Sequence, residues 1–145
     1  MYSIFKRITV FTLALLMLII GAFVPYRKAE AATMYYNTSA ALLNCSVNSN
    51  GLLQATLSVT GIKNRTTHIS VELYVEKKIL GLFWSRINIG YPDNTWTDST
   101  SNYLYSNIFT TSLPSEGTYR VTVTFTVLGT GGANDVIVKT NTISY

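Results

Sequence analysis

The sequence contains few of the residues from which catalytic and metal sites are usually built. Among its 145 residues there is one histidine, His68, and one cysteine, Cys45. A nucleophilic triad would have to use that single histidine, and the several His and Cys ligands of a structural zinc site are missing. One cysteine also excludes an intramolecular disulfide, so the fold has to be held together by packing.

Carboxylates are also few and poorly spaced for acid–base catalysis. Glu72 and Glu76 lie on one face of a predicted strand, about 13 Å apart at ~3.3 Å per residue. The paired carboxylates of glycosidases are about 5–9.5 Å apart. Asp93 and Asp98 share a predicted loop, but the ligand spacing of a calcium-binding loop is absent. We therefore predict no catalytic residue, no cofactor and no metal ion, and the remaining enzymatic alternative is a small hydrolase that uses His68.

The longest apolar stretch of the chain is at its N terminus. Lys6 and Arg7 precede an uncharged apolar run at 8–24. Pro25 ends any helix there, because it has no N–H and disfavours helical geometry in the residue before it. A basic region followed by an apolar region is typical of a secretory signal peptide.

A cleavage site follows the apolar run. Ala29 and Ala31 supply the small residues that a signal peptidase reads, so we predict a signal peptide with a hydrophobic helix at 1–31 and one mature domain at 32–145. The alternative is an uncleaved membrane anchor, because the run reaches the lower limit of about 17 residues for a spanning helix. The expected localisation is secreted or extracellular, or membrane-anchored if the segment is retained.

Cleavage changes the charge balance of the chain. The predicted signal peptide holds four of the 11 basic residues and one of the seven acidic residues. The mature chain keeps seven bases and six acids, so it lacks the excess of basic residues that neutralises nucleic-acid phosphates. We therefore predict no nucleic-acid partner.

The mature sequence is rich in β-branched and aromatic residues and contains no sustained apolar pattern at helical spacing, which predicts an all-β domain. Cys45 shares the strand parity of apolar neighbours, so we expect it in the core; the alternative for a single cysteine in an exported protein is an intermolecular bridge or a free thiol. The predicted strands are 43–47, 53–59, 69–75, 103–111, 119–127 and 135–145, with a second hairpin over 77–91 that turns at Gly81 and a loop at 92–102. About seven short strands at regular intervals favour an antiparallel two-sheet sandwich.

One turn resembles the tyrosine corner of immunoglobulin-like and fibronectin-type sandwiches. Leu113 is followed by a Pro-x-x-Gly turn that ends at Gly117, and Tyr119 opens the strongest predicted strand. The resemblance implies an immunoglobulin-like sandwich in which these three residues are structural and the Tyr119 hydroxyl bonds back to the nearby backbone. Val121 stands where antibody domains carry a cysteine, so an antibody-type domain is excluded.

The mature chain is also similar to a group of small secreted proteins of Gram-positive bacteria of uncharacterised function. The likeness rests on the export segment, the YYNT sequence at 35–38, the SNGLLQATLSVTG hairpin, the ELYVEKK strand with its Trp-containing return, and the GTYRVTV strand. It implies an extracytoplasmic location and a β-sandwich, and it carries over no site residue.

An apolar cluster occupies the predicted tip of the second hairpin, where polar residues are usual. Its members are Ile79, Leu80, Leu82, Phe83 and Trp84. An exposed apolar patch marks a site of protein or membrane contact, so these are candidate binding residues. The alternative is that the hairpin folds over the sandwich and caps its core.

Aromatic residues form a second candidate set, with Trp96 in the middle of the predicted loop. Aromatic rings stack on sugars or anchor protein interfaces. Alternatively, these rings pack along strand edges or under the loop. The set comprises Tyr74, Tyr91, Trp96, Tyr103 and Tyr105.

The absence of a catalytic constellation and the two surface features together favour an exported, non-catalytic β-sandwich protein. Its expected partner is a protein or a carbohydrate at the cell surface or outside the cell. The alternative function is a secreted membrane-active or antimicrobial factor that uses the tip at 79–84 as an insertion loop.

Overall fold

The computed structural model describes residues 34–145, and the predicted signal peptide with its helix lies outside them. The described part is all-β apart from one short 3-10 turn, and it contains no helix that is long and apolar enough to cross a bilayer. Its elements are β1 Thr38–Val47, β2 Leu52–Gly61, β3 Thr66–Ile79, β4 Phe83–Arg86, the 3-10 turn Pro92–Asn94, β5 Trp96–Thr100, β6 Leu104–Ser112, β7 Thr118–Gly129 and β8 Asp135–Ser144.

The strands form two antiparallel sheets. Three strands make one sheet in the order β1-β2-β6, and five make the other in the order β4-β3-β7-β8, with β5 paired to β3. All the strand pairs are antiparallel. The prediction of an all-β protein with two antiparallel sheets is confirmed, with eight strands in place of about seven.

Alternation along the strands directs one face of each sheet into a shared apolar core. Tyr119 and Phe125 of β7 are the largest fully buried side chains in it. Burying apolar side chains of this kind contributes about 1.5–3 kcal/mol each, which lets a domain of this size fold without a disulfide. Cys45 is half-buried and packs against this core, as its strand parity predicted.

The region after the β3–β4 hairpin differs from the sequence prediction. β4 ends at Arg86 instead of continuing to about residue 91, and the predicted loop at 92–102 contains β5. With 14 residues, β3 is long enough to pair with both short strands in turn along one edge. The period-two pattern misses β5 because, apart from Trp96, its residues are polar on both faces.

The turn between β6 and β7 has the contacts of the expected tyrosine corner. The Tyr119 hydroxyl donates a hydrogen bond to the carbonyl oxygen of Ser115, and Leu113 is buried. Gly117 has a φ of 150°, and a Cβ there would lie 2.8 Å from the Lys77 side chain. Any other residue at this position would therefore be strained and would displace Lys77.

A buried polar network joins the segment before β1 to the start of β8. The Asp135 carboxylate accepts hydrogen bonds from the backbone N–H groups of Tyr36 and Asn37 and from the Thr38 hydroxyl, each at 2.8 Å. The fully buried Asn37 side chain bonds to the backbone of the β7–β8 connection. This network closes the end of the sandwich at which β3 begins, which is opposite to the β3–β4 hairpin.

Candidate binding surface at the β3–β4 hairpin

The β3–β4 hairpin extends beyond β7, the strand that pairs with β3 in the middle of the sheet. β3 pairs with β7 as far as Lys77, and from there only β4 accompanies it. The last strand pair of the hairpin joins Ile79 to Phe83. The apex of the hairpin is at Leu80, three residues after Lys77. At about 3.3 Å per residue, Leu80 lies ~10 Å past Lys77, the last residue of β3 that pairs with β7.

The turn at the apex contains an unusual residue. Leu80 and Gly81 both have positive φ, 52° and 70°, and the Leu82 N–H donates a hydrogen bond to the Ile79 carbonyl at 3.0 Å. Hairpin turns with two positive φ angles favour Asn-Gly or Asp-Gly, because these residues enter the left-handed region easily. A leucine there costs about 1–2 kcal/mol, so stability is given up to place an apolar side chain at the apex.

The apolar residues of the tip are open to solvent. Leu80 is 83% exposed, Leu82 80% and Phe83 53%. Ile79 and Trp84, which lie nearer the sandwich, are half-buried. The idea that the tip caps the core is wrong for its three outer residues, because they are not part of the core cluster.

Cationic side chains stack on the aromatic rings at the base of the hairpin. The Lys78 Nζ lies 5.7 Å from the centre of the Trp84 ring, and the Arg120 guanidinium lies 4.4 Å from it. The Arg86 guanidinium is 3.9 Å from the centre of the Tyr74 ring. These distances are within the range in which a cation is attracted to an aromatic face, so both rings on this outer face carry a cation.

Four of the seven basic residues that follow residue 31 lie here, and we call them the basic collar: Lys77, Lys78, Arg86 and Arg120. Arg120 forms an ion pair with Glu76, with Nη2 and Oε2 2.7 Å apart, and it is the only ion pair within residues 34–145. The other three collar residues form no ion pair with a carboxylate in the described part of the chain.

Trp96 lies away from the hairpin tip, and its role as a binding residue stays a prediction. Trp96 faces into the sandwich, and its ring packs on the buried Phe109 with ring centres 5.5 Å apart. Tyr105 is buried as well. The predicted aromatic set is therefore divided between the core and the surface, and of its members Tyr74 shares the outer face of the sheet with Trp84.

Asp98 links the two sheets along the edge formed by β5 and β6. Its Oδ2 accepts hydrogen bonds from the Asn107 side-chain amide and the Tyr105 hydroxyl, both at 2.8 Å. The bond from Asn107, supported by those from Tyr105 and the Ser99 N–H, holds the pKa of Asp98 below its ordinary value. Burial and the bond to Asp98 raise the pKa of Tyr105. The two bonds from β6 to Asp98 make this pair a structural link between the sheets.

A shallow open depression of about 480 Å³ lies on the outer face of β3 beside β5. Its lining is polar and comprises His68, Ser70, Val71, Glu72, Thr97, Asp98 and Ser99. His68 lies within β3 and is partly buried. Residues 34–145 contain no group of three His, Cys, Asp or Glu side chains close enough to hold a metal ion.

Comparisons with known proteins provide no relative from which a site can be transferred. The chain matches no model of a known protein family, and no curated protein matches it significantly. The role of the hairpin therefore has to be argued from its geometry and charge.

Proposed function

We propose that this chain is an exported, non-catalytic protein that binds a partner at the cell surface or outside the cell through the β3–β4 hairpin. The basic and apolar N-terminal segment with its Ala-x-Ala site supports export. The likeness to small secreted Gram-positive proteins supports the same location. The corner formed by Leu113, Gly117 and Tyr119 supports an immunoglobulin-like arrangement, a scaffold that presents loops at its ends.

The observation that carries the proposal is the exposure of Leu80 in a strained turn. Local preference favours asparagine or glycine at this position. Core packing does not compensate for the leucine, because 83% of it is exposed. A residue that lowers the stability of the isolated protein without packing inside it is best explained by a contact with another molecule.

The chemistry of the surface supports binding over catalysis. The hairpin offers apolar and cationic side chains and no nucleophile beside a general base. The Glu76 carboxylate is held by Arg120. His68 and Glu72 lie on one face of β3, but their positions are about 13 Å apart at ~3.3 Å per residue.

The proposed function is tested with the chain from residue 32 onward and preparations of bacterial cell envelope. We expect bound protein to fall about tenfold or more in the double variant Leu82→Asp/Phe83→Asp, because both side chains are exposed at the tip and lie outside the core. The matched control is Leu42→Asp/Ile108→Asp, two residues that are 52% and 54% exposed on the other sheet, and it should bind like the wild type. Equal binding by the hairpin variant would contradict the proposal.

Export has a separate test. Protein recovered from the culture medium should have the mass of a chain that begins at Ala32, because cleavage is expected after Ala31. Recovery of the full-length chain from the membrane fraction alone would instead establish the retained anchor.

A further inference from the structure

We propose, building on the function proposed above, that the partner of the β3–β4 hairpin is the surface of an anionic lipid bilayer. Leu80, Leu82 and Phe83 enter the interfacial region of the bilayer, and the basic collar contacts the anionic headgroups. Three features favour a bilayer over a glycan or a protein: the shape of the hairpin, its positive charge, and the cations that cover the aromatic rings beside it.

The hairpin has the dimensions of an interfacial anchor. Its apex extends ~10 Å beyond the last position held by β7, and amphipathic segments bury their apolar side about 5–10 Å into the boundary between headgroups and acyl chains. Leu80 and Leu82 are at least 80% exposed, so they can leave water without any rearrangement of the fold. Trp84 follows directly behind them, at the level where indole rings are enriched in membrane interfaces.

The basic collar complements an anionic surface. Lys77 and Lys78 lie on β3 immediately behind the apolar tip, Arg86 lies at the base of the hairpin opposite Glu76, and all three are outside the Arg120–Glu76 ion pair. In this structure Lys78 lies over Trp84, Arg86 lies over Tyr74 and donates a hydrogen bond to Thr95, and Lys77 donates one to Ser115. Their long side chains can turn from these contacts toward the headgroups, because an anionic membrane surface attracts each Lys or Arg near it. The neighbouring β6–β7 turn contributes one acidic residue, Glu116, so the positive charge at this end of the sandwich is in excess.

The aromatic rings beside the hairpin are poorly suited to stacking on a sugar. The Trp84 ring is covered by Arg120 and Lys78, and the Tyr74 ring by Arg86. A glycan would have to displace these cations before it could stack. A protein partner fits poorly as well, since stable protein interfaces bury about 1,200–2,000 Å² and the exposed apolar tip consists of three side chains.

Vesicle binding tests the lipid preference. The chain from residue 32 is sedimented with vesicles of phosphatidylcholine alone or with about 30% phosphatidylglycerol; we expect about tenfold tighter binding to the anionic vesicles at low salt and weaker binding as salt rises. The double variant Lys78→Gln/Arg86→Gln should bind anionic vesicles more weakly and with a flatter salt dependence. Lys139→Gln, on β8, is the matched control and should change neither quantity.

Leu80→Asn is the most informative variant, because stability and membrane binding should move in opposite directions. Asparagine enters the left-handed region readily, so the thermal midpoint of the variant should equal or exceed that of the wild type. Its binding to anionic vesicles should fall about threefold or more, because an apolar side chain is lost from the apex. Leu42→Asn, which replaces an exposed leucine on the other sheet, should leave binding unchanged.

Equal vesicle binding by the wild type and Leu80→Asn, or an absence of preference for anionic vesicles, would overturn the bilayer inference. If neither vesicle type binds but envelope binding still depends on Leu82 and Phe83, the bilayer inference fails and the binding role of the hairpin stands, with a protein or glycan as its partner. Independence from the hairpin in both assays would refute both proposals.

Discussion

Cys45 is a single thiol whose reactivity depends on its place on the inner side of β1. Burial raises the pKa of this thiol from 9.0 to about 11. At pH 8 about one thiol in a thousand is then ionised in the folded protein, compared with about one in ten at the ordinary value, and the thiolate is the reactive form. We expect Ellman's reagent to modify the native protein about a hundredfold more slowly than the protein in guanidinium. Equal rates in the two conditions would contradict this expectation.

Asp98 makes the stability of the folded protein depend on pH. Its pKa is held below the ordinary value of 3.8, chiefly by the hydrogen bond from Asn107, so the folded state favours the ionised form. The stability that this carboxylate contributes is therefore fully present above about pH 4 and is lost as the pH falls through its lowered pKa. We expect Asp98→Asn to flatten the decline of the thermal midpoint between about pH 5 and pH 2.

The control for this experiment is Asp93→Asn. The Asp93 side chain is exposed and accepts no hydrogen bond from residues 34–145, so its replacement should leave the shape of the profile unchanged. An Asp98→Asn profile that coincides with the wild type would show that the link between β5 and β6 does not contribute to stability in this way.

At the scale of elements, the network around Asp135 fastens the segment before β1 to the start of β8. Asp135→Ala removes the acceptor of three hydrogen bonds and leaves buried donors without a partner. We expect the free energy of unfolding, measured in urea, to fall by about 3 kcal/mol or more. Val136→Ala, at an adjacent residue that is 60% exposed, should change it by less than about 0.5 kcal/mol. A loss of similar size in the two variants would rule out the network as the cause.

The elements that could be predicted are those whose burial alternates. In β2 and β7 apolar and polar residues alternate, so the sequence predicts which face of each strand is buried before the neighbouring strands are known. β5 could not be predicted, because Asp98 faces inward and is satisfied by side chains of β6. Pairing with β3 determines which residues of β5 face inward, and these residues do not form an alternating apolar pattern in the sequence.

The candidate site was predictable only in part. The apolar residues Leu80 and Leu82 identified the hairpin tip as a candidate binding site from the sequence, since polar residues are usual in hairpin turns. The collar was not identified, because Arg120 is 44 residues from the Glu76 that it pairs with and meets the hairpin only through the register of β3 and β7. The only signal in the sequence was the position of Arg120 among the polar residues that alternate with apolar ones along β7. That alternation predicts that Arg120 faces outward, but it does not predict which residues of other strands lie next to it.

At the scale of the whole molecule, residues 34–145 form one unit with a continuous core and no disulfide. We expect the chain from residue 32 onward to fold without the first 31 residues and to unfold in one cooperative transition, as small single domains do. Far-UV circular dichroism and tryptophan fluorescence should give the same urea midpoint. Separate midpoints, or a β signal that is lost without a transition, would contradict the domain boundary at 32.

The sequence by itself determined that the chain after the N-terminal segment is all-β, that it has no intramolecular disulfide, and that an apolar segment is placed at a hairpin turn. These properties depend on composition and on alternation between neighbouring residues, which are local. Only the tertiary structure decided that Leu80 and Leu82 stay in water, that Trp96 turns into the core, and that cations cover Trp84 and Tyr74. Exposure and long-range contacts depend on which strands meet and where each one ends, and those are properties of the packed sheets.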